Sequence, residues 1–256
     1  MSPQSAAEQD YLKQIYLLQQ DTGHATTQML ADRLGVKPPS VTAMIKHLAE
    51  SVDGPLVRHR PYHGVQLTQR GMTVAIEMLR HHRLIETFLA ELLGVPWHQV
   101  HEEAERLEHV LSEDLEDRIA AKLGNPNFDP HGDPIPSRDG LMPTRTLIHL
   151  TGLSPEASGT VARIEQQEEP ILEYLASLGL ILDARVTLES IAPFGGVVTV
   201  RVGWSDDERT HAIGGELAER ILVAPLPTTL QRSEAGKSID GVDRAGHAVT
   251  VTTSGE

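Results

Sequence analysis

Two stretches of this 256-residue chain carry nitrogen and oxygen donors at helical spacing. His82 and Glu86 stand four apart, on one face of a turn. Further on, Val100, Ala104, Leu107 and Leu111 form an expected buried stripe, and His101, Glu105, Glu108 and His109 lie beside it. At about 100° per residue, these four donors fall roughly 80° to 180° from the centre of the stripe, where one helix meets another. Six imidazole and carboxylate groups can therefore converge, a set suited to a first-row divalent cation. Asp10, on an earlier segment, adds a seventh. With no cysteine in the chain, thiolate zinc sites, iron–sulfur clusters, cysteine nucleophiles and disulfides are excluded. Residues 77–117 hold 11 acidic side chains against only Arg80, Arg83 and Arg106, so salt bridges cannot neutralise them and a cation would. His131, His149, His211 and His247 have no partner at metal spacing and read as surface residues.

The elements that position these donors follow from periodicity and caps. Ser5 to Gln20 carries Tyr11, Leu12, Ile15, Tyr16 and Leu18 at helical spacing, and Gly23 stops the helix. Thr26 and Thr27 open a short helix over Gln28–Leu34 that ends at Gly35. Pro38-Pro39-Ser40 opens a third, with Val41, Met44, Ile45 and Leu48 as its stripe. The spacing of Ala31, Gly35, Val41 and Ile45 is that of a helix-turn-helix. A two-stranded wing follows from Leu56 to Leu67, with Arg58, His59, Arg60 and His63 near its tip. Thr68 caps a long helix to about Leu93, and a second long helix is expected from about Trp97 to Leu123. Beyond the Pro- and Gly-rich stretch 125–136, the pattern turns β-rich at Val161–Ile164, Arg185–Ile191, Val197–Trp204 and Ile221–Pro225, with one helix inserted, as in a small barrel.

The expected fold class is mainly α with a β-containing C-terminal domain. Its modules are a winged helix-turn-helix over 1–75, a helical metal-binding and dimerisation domain over 76–142, a small β-barrel over 143–227 and a Ser/Thr/Gly-rich flexible tail over 228–256. A hydrophobic content of 39% supports several cored domains. The net charge of -14 argues against nucleic-acid binding until it is divided. Residues 1–75 carry 7 basic and 6 acidic side chains, net +1, leaving -15 for the rest. A near-neutral head on an acidic body fits two modules with different partners. The first residues show no basic, apolar leader, and no apolar run is long enough to span a membrane, so a cytoplasmic protein without a membrane partner is expected.

The residues also resemble a known family, the diphtheria toxin repressor and manganese transport regulator family of metal-activated bacterial repressors. The resemblance rests on Asp10-Tyr-Leu-Lys-Gln-Ile-Tyr16, Pro39-Ser-Val-Thr42, Leu67-Thr-Gln-Arg-Gly71, His82-Arg-Leu-Ile-Glu86, Val100-His101-Glu-Glu-Ala-Glu105, Glu108-His109-Val and Gly132-Asp-Pro-Ile-Pro136. The region from Gly159 to Pro225, with Pro193-Phe-Gly-Gly196, looks like the SH3-like barrel of the longer members. The resemblance implies a homodimer with two metal positions per subunit. Asp10, Glu105, Glu108 and His109 match the activating position, and His82, Glu86 and His101 the ancillary one. Gln167, Glu168 and Glu169 are candidate barrel ligands. Carboxylates stand where iron-responsive members carry Met and Cys, so the expected cofactor is Mn²⁺, with Fe²⁺ as the alternative and other first-row cations binding in vitro. Lys13 stands where manganese-type members often have a second carboxylate.

The expected partners are operator DNA and a second copy of the chain, with no organic substrate and no enzymatic activity. Metal would lock the DNA-reading module against the dimer module and so repress metal-uptake genes. Pro39, Ser40, Thr42, Ala43, Lys46, Arg58 and Arg60 are the expected DNA contacts. A di-iron or di-manganese oxidase would need Glu-x-x-His on two helices, and neither long helix contains it. A winged-helix regulator sensing a small organic ligand would share the first 75 residues and leave the Glu/His cluster unexplained.

Overall fold

A computed structural model describes residues 4–60, 64–204 and 207–227, with the Arg60 side chain outside the description. The expectations on His63, His247 and the tail 228–256 thus fall outside the described residues. Helix α1 (Ala6–Thr22) starts at a capping box, in which Ser5 Oγ accepts from the Glu8 N–H and the Glu8 carboxylate accepts from Ser5 N–H. It buries Tyr11, Leu12, Ile15, Tyr16 and Leu18, the stripe read from spacing. Thr26 caps α2 (Thr27–Leu34), which ends at Gly35 with φ 63°, and α3 (Pro38–Ala49) begins with proline in its first turn. Strands β1 (Val57–Arg60) and β2 (Gly64–Leu67) pair antiparallel as the wing. Ala31, Val41, Leu48, Leu56 and Val57 join the α1 stripe in one core.

Helix α4 (Gln69–Leu93) is capped by Thr68 and packs along α1, joining the N-terminal core to the metal-donor region. The continuous helix expected from Trp97 to Leu123 is instead two helices, α5 (Val100–Leu107) and α6 (Glu113–Lys122). Ser112 is the reason: its hydroxyl accepts from Leu115 N, and Glu113, Asp114 and Glu116 fill the first turn of α6, where negative charge is favoured. The stripe breaks with the helix. Val100 and Ala104 are fully buried, but Leu107 is 43% exposed.

The C-terminal unit is a six-stranded antiparallel sheet in the order β3-β8-β4-β5-β6-β7. Its strands are β3 (Ile148–His149), β4 (Ser158–Ile164), β5 (Arg185–Ile191), β6 (Val197–Val202), β7 (Arg209–Gly214) and β8 (Ile221–Pro225). Helix α7 (Glu169–Ser177) joins β4 to β5 and the short α8 (Gly215–Ala218) joins β7 to β8. Register shifts at Val161/Arg163 and Leu188/Ser190 bend the sheet around a core that includes Leu172, Leu175, Val186, Val200 and Ile221. Strand β7 carries little sequence signal, because only Ile213 of its six residues is buried.

The stretch 129–135 ties this sheet to α4. His131 O accepts from Ile164 N at 2.9 Å, and Arg83 donates to Pro134 O at 2.5 Å. Gly132 has φ 87° and lies so close to Ala162 O that a Cβ would collide with it, so only glycine fits there.

Candidate metal centre

Three elements bring the donors together: α1 carries Asp10 and Lys13, α4 carries His82 and Glu86, and α5 with the turn after it carries His101, Glu105, Glu108 and His109. Because α5 stops at Leu107, Glu108 and His109 sit on that turn and not on a helix face.

At the junction with α1, Asp10, Glu108 and His109 place ligand atoms within 4.8 Å of one another. His109 Nδ1 donates to the Gln9 side-chain oxygen at 2.8 Å. Its Nε2 faces Asp10 Oδ1 at 3.1 Å and Glu108 Oε1 at 3.6 Å. Asp10 Oδ1 is buried and receives no hydrogen bond. A buried carboxylate oxygen without a hydrogen bond is one a cation would satisfy, and a histidine fixed through its other nitrogen is typical of metal ligands. Burial raises the Asp10 carboxyl above its usual value, opposed by His109 and Lys13. Gln9 is a contributor that helical spacing alone does not single out.

Between α4 and α5, a second group forms from His82, His101 and Glu105, within the same 4.8 Å. Glu86 closes it, with Oε1 at 3.0 Å from His82 Nε2 and 3.1 Å from His101 Nδ1. His82 Nδ1 lies 2.5 Å from Glu108 Oε2, so Glu108 links the two groups. Burial alone would lower the His82 pKa, but Glu86 and Glu108 overrule it and hold the imidazole up at about 9. Glu86 is held well below the usual carboxylate range, because its buried charge is compensated by His82 and His101. Glu105 groups with His82 and His101, at 3.9 and 3.8 Å, which divides the donors differently from the grouping implied by resemblance. Lys13 does not pair with Asp10 by a hydrogen bond; it donates to Glu105 at 2.9 Å and Glu108 at 2.5 Å.

His131 corrects the surface reading: it is fully buried, with Nδ1 3.9 Å from Glu86 Oε2, and it groups with Glu86 and Asp129. Burial, with Asp133 and Glu86 nearby, raises the Asp129 carboxyl well above its usual value. His149 is exposed and His211 half-buried. His81, beside His82, is also buried; its rings reach Glu108 O at 3.1 Å and Glu116 Oε2 at 2.9 Å, steadying the turn that carries Glu108. Of the barrel candidates, Gln167 donates to Asp133 at 2.9 Å and lines a cavity of about 320 Å³ together with His82, Glu86, His101 and Glu105. Glu168 and Glu169 line a neighbouring cavity with His98 and His101.

In the N-terminal unit, Pro39, Ser40, Thr42, Ala43 and Lys46 are all exposed along α3, and Arg58 is exposed on β1. Thr42 Oγ1 donates to Pro38 O at 3.1 Å, which stiffens the first turn of α3.

A winged helix-turn-helix tied by metal-type donors to a second helical unit defines a class, the metal-dependent DNA-binding repressors. Three family profiles match in series: "Iron dependent repressor, N-terminal DNA binding domain" over 5–65, "Iron dependent repressor, metal binding and dimerisation domain" over 68–137 and "FeoA domain" over 148–225. The iron-dependent repressor IdeR of Mycobacterium tuberculosis is 34% identical over 220 residues, covering 79% of this chain and 94% of that protein. The diphtheria toxin repressor of Corynebacterium glutamicum is 30% identical, covering 82% of this chain and 95% of that protein. A solved manganese-dependent transcriptional repressor in complex with manganese is 42% identical with a TM-score of 0.76, covering 86% of this chain and all of that one. The chain therefore belongs to the iron-dependent repressor family and is a metal-dependent DNA-binding transcriptional repressor. That family consists of repressors, not enzymes. Among the described residues, no helix is long and apolar enough to cross a membrane.

Proposed function

We propose that the chain is a Mn²⁺-activated repressor of metal-uptake genes, acting as a cytoplasmic homodimer. The observation that carries this is the donor set: Asp10, Glu108 and His109 at the α1 junction, with Glu105 tied to Glu108 through Lys13, offer only oxygen and imidazole nitrogen, with no sulfur among them. Hard anionic oxygens favour Mn²⁺, which sits low in the affinity series and must be selected by ligand type and geometry. The likeness to a manganese-dependent repressor solved in complex with manganese agrees. Fe²⁺ is the second reading, favoured by the mycobacterial relative named for iron.

In this reading, Asp10, Glu105, Glu108 and His109 form the activating position, and His82, Glu86 and His101 the ancillary one, with Gln167 its nearest barrel contributor. When bound, a divalent cation supplies the positive charge that these acidic groups lack. Asp10 moves with α1 and the DNA-reading core, whereas Glu105, Glu108 and His109 move with α5. Gathering all four at one point fixes α3 relative to the dimerising helices. Exposed Leu92, Leu93, Leu107, Val110 and Leu115 give α4 to α6 the apolar surface that a second copy would cover. Two α3 helices at fixed separation can then match half-sites about one helical turn of DNA apart. Ser40, Thr42 and Ala43 read base edges while Lys46, Arg58 and Arg60 meet phosphates or the neighbouring groove.

The test is anaerobic footprinting of genomic DNA, titrated separately with Mn²⁺, Fe²⁺, Co²⁺ and Zn²⁺. Protection of sites upstream of metal-uptake genes at the lowest concentration of Mn²⁺ is the expected result. Protection first by Fe²⁺ transfers the assignment to iron.

A further inference from the structure

We infer that Lys13 is a resident counter-cation of the activating position: its ammonium braces α1 against α5 when no metal is bound and competes with metal for Glu108 and Glu105. The competing half of this inference rests on reading those carboxylates as ligands; the bracing half does not.

Lysine is almost never fully buried unless paired, yet Lys13 is only 2% exposed. Its partners explain the burial. Nζ donates to Glu105 Oε1 at 2.9 Å and to Glu108 Oε1 at 2.5 Å, reaching from α1 to α5 and the turn that follows. Glu108 itself is 1% exposed, so neither charge is relieved by water.

The same oxygen has a second claimant. Glu108 Oε1 also faces His109 Nε2 at 3.6 Å, inside the group formed with Asp10. One turn earlier on α1, Asp10 points its unbonded Oδ1 into that group. Helix α1 therefore offers two handles to the same joint: an anion that needs a cation, and a cation already holding the carboxylates that the metal would use. An ion arriving at Glu108 must displace the ammonium or sit beside it, and both cost affinity. Without metal, the ammonium keeps part of the contact between the DNA-reading and dimerising units.

The experiment uses the full chain with Lys13→Met, which keeps length and removes charge, and Lys13→Arg, which keeps charge. Mn²⁺ binding is measured by equilibrium dialysis with the metal alone, and operator binding in excess chelator. Lys13→Met is expected to bind Mn²⁺ about 10–100-fold more tightly, the range in which groups around a metal site act. Its chelator-resistant operator binding should fall below wild type, while Lys13→Arg stays near wild type in both. Should Lys13→Met be unfolded without metal, refolding on addition of Mn²⁺ supports the inference and failure to refold overturns it. Equal or weaker Mn²⁺ binding by a folded Lys13→Met overturns the competition, and unchanged metal-free operator binding overturns the brace. A wild type that binds operator identically with and without every metal would instead refute the proposed function, and the chelator arm would still decide the brace.

Discussion

The two groups of donors use the same chemistry, imidazole and carboxylate, on different supports. His82, Glu86, His101 and Glu105 lie on α4 and α5, helices that pack against each other. Asp10, Lys13, Glu108 and His109 straddle a joint, because half of them ride on α1. A cation bound within one unit can only stiffen it. One bound across a joint can change how two units sit, because it favours the arrangement in which all its ligands meet. Position across the joint, more than residue type, is thus what makes one group suited to switching.

The comparison breaks most visibly at Glu108 and His109. Glu108→Ala or His109→Ala is expected to remove the metal-stimulated gain in operator binding, a loss of up to about 100-fold, as typical site-to-site couplings allow. Analytical ultracentrifugation should still show dimers, since the apolar surface is untouched. Full Mn²⁺-dependent operator binding by Glu108→Ala would place the switch elsewhere.

Selectivity is the next largest effect. The double replacement Asp10→Met with Glu105→Cys exchanges hard donors for soft ones. It should raise the Mn²⁺ needed for anaerobic operator binding by about tenfold or more relative to Fe²⁺ or Co²⁺. Either change alone should do less, because a carboxylate remains. An unchanged order of metals in the double variant would detach selectivity from these two positions.

His82→Ala sharpens the contrast from the other side. Confined to α4 and α5, it should reduce activation only a few-fold, within the lower part of the usual coupling range. A loss as deep as that of Glu108→Ala, read in the same operator titration, would mean the two groups act as one.

The smallest effect is on the pH dependence of the metal-free protein. His82 is raised from 6.5 to about 9, so its stabilising contribution is complete below pH 6.5 and lost as pH climbs through 9. Glu86 and Glu108 are lowered from 4.5, so theirs is present above that value and lost as pH falls below it. The melting temperature in chelator should be highest between these limits and drop on both sides. Calorimetry of His82→Ala should show a flattened alkaline limb, and an unaltered limb would show that His82 is not charged in the folded protein.

How much of this was legible in the sequence varies by element. Local rules were sufficient for α1 to α3, where Ser5, Thr26, Gly23, Gly35 and two prolines mark every boundary except the C-terminal end of α3 within a residue or two. The break between α5 and α6 was also written there, as Ser112 followed by three acids, but the apolar stripe running past it masked the signal. Strand β7 lay beyond local reach, since its burial is supplied by β6 and α8 and not by alternation.

The donor types, the absence of sulfur and the i,i+4 pairing of His82 with Glu86 are properties of the chain itself, because a helix brings such neighbours together locally. Three things were decided only by the tertiary structure. Glu108 became the hinge between two donor groups because α5 ends one residue before it. His131 became buried beside Glu86 because the stretch 129–135 is pinned between α4 and β4 by Arg83 and Ile164. Lys13 found Glu105 and Glu108 in preference to Asp10 because a residue three positions along a helix is not its best partner when two carboxylates, 92 and 95 residues away, close over it and exclude water. Spacing along the sequence cannot encode such contacts; they exist only once the chain has folded back on itself.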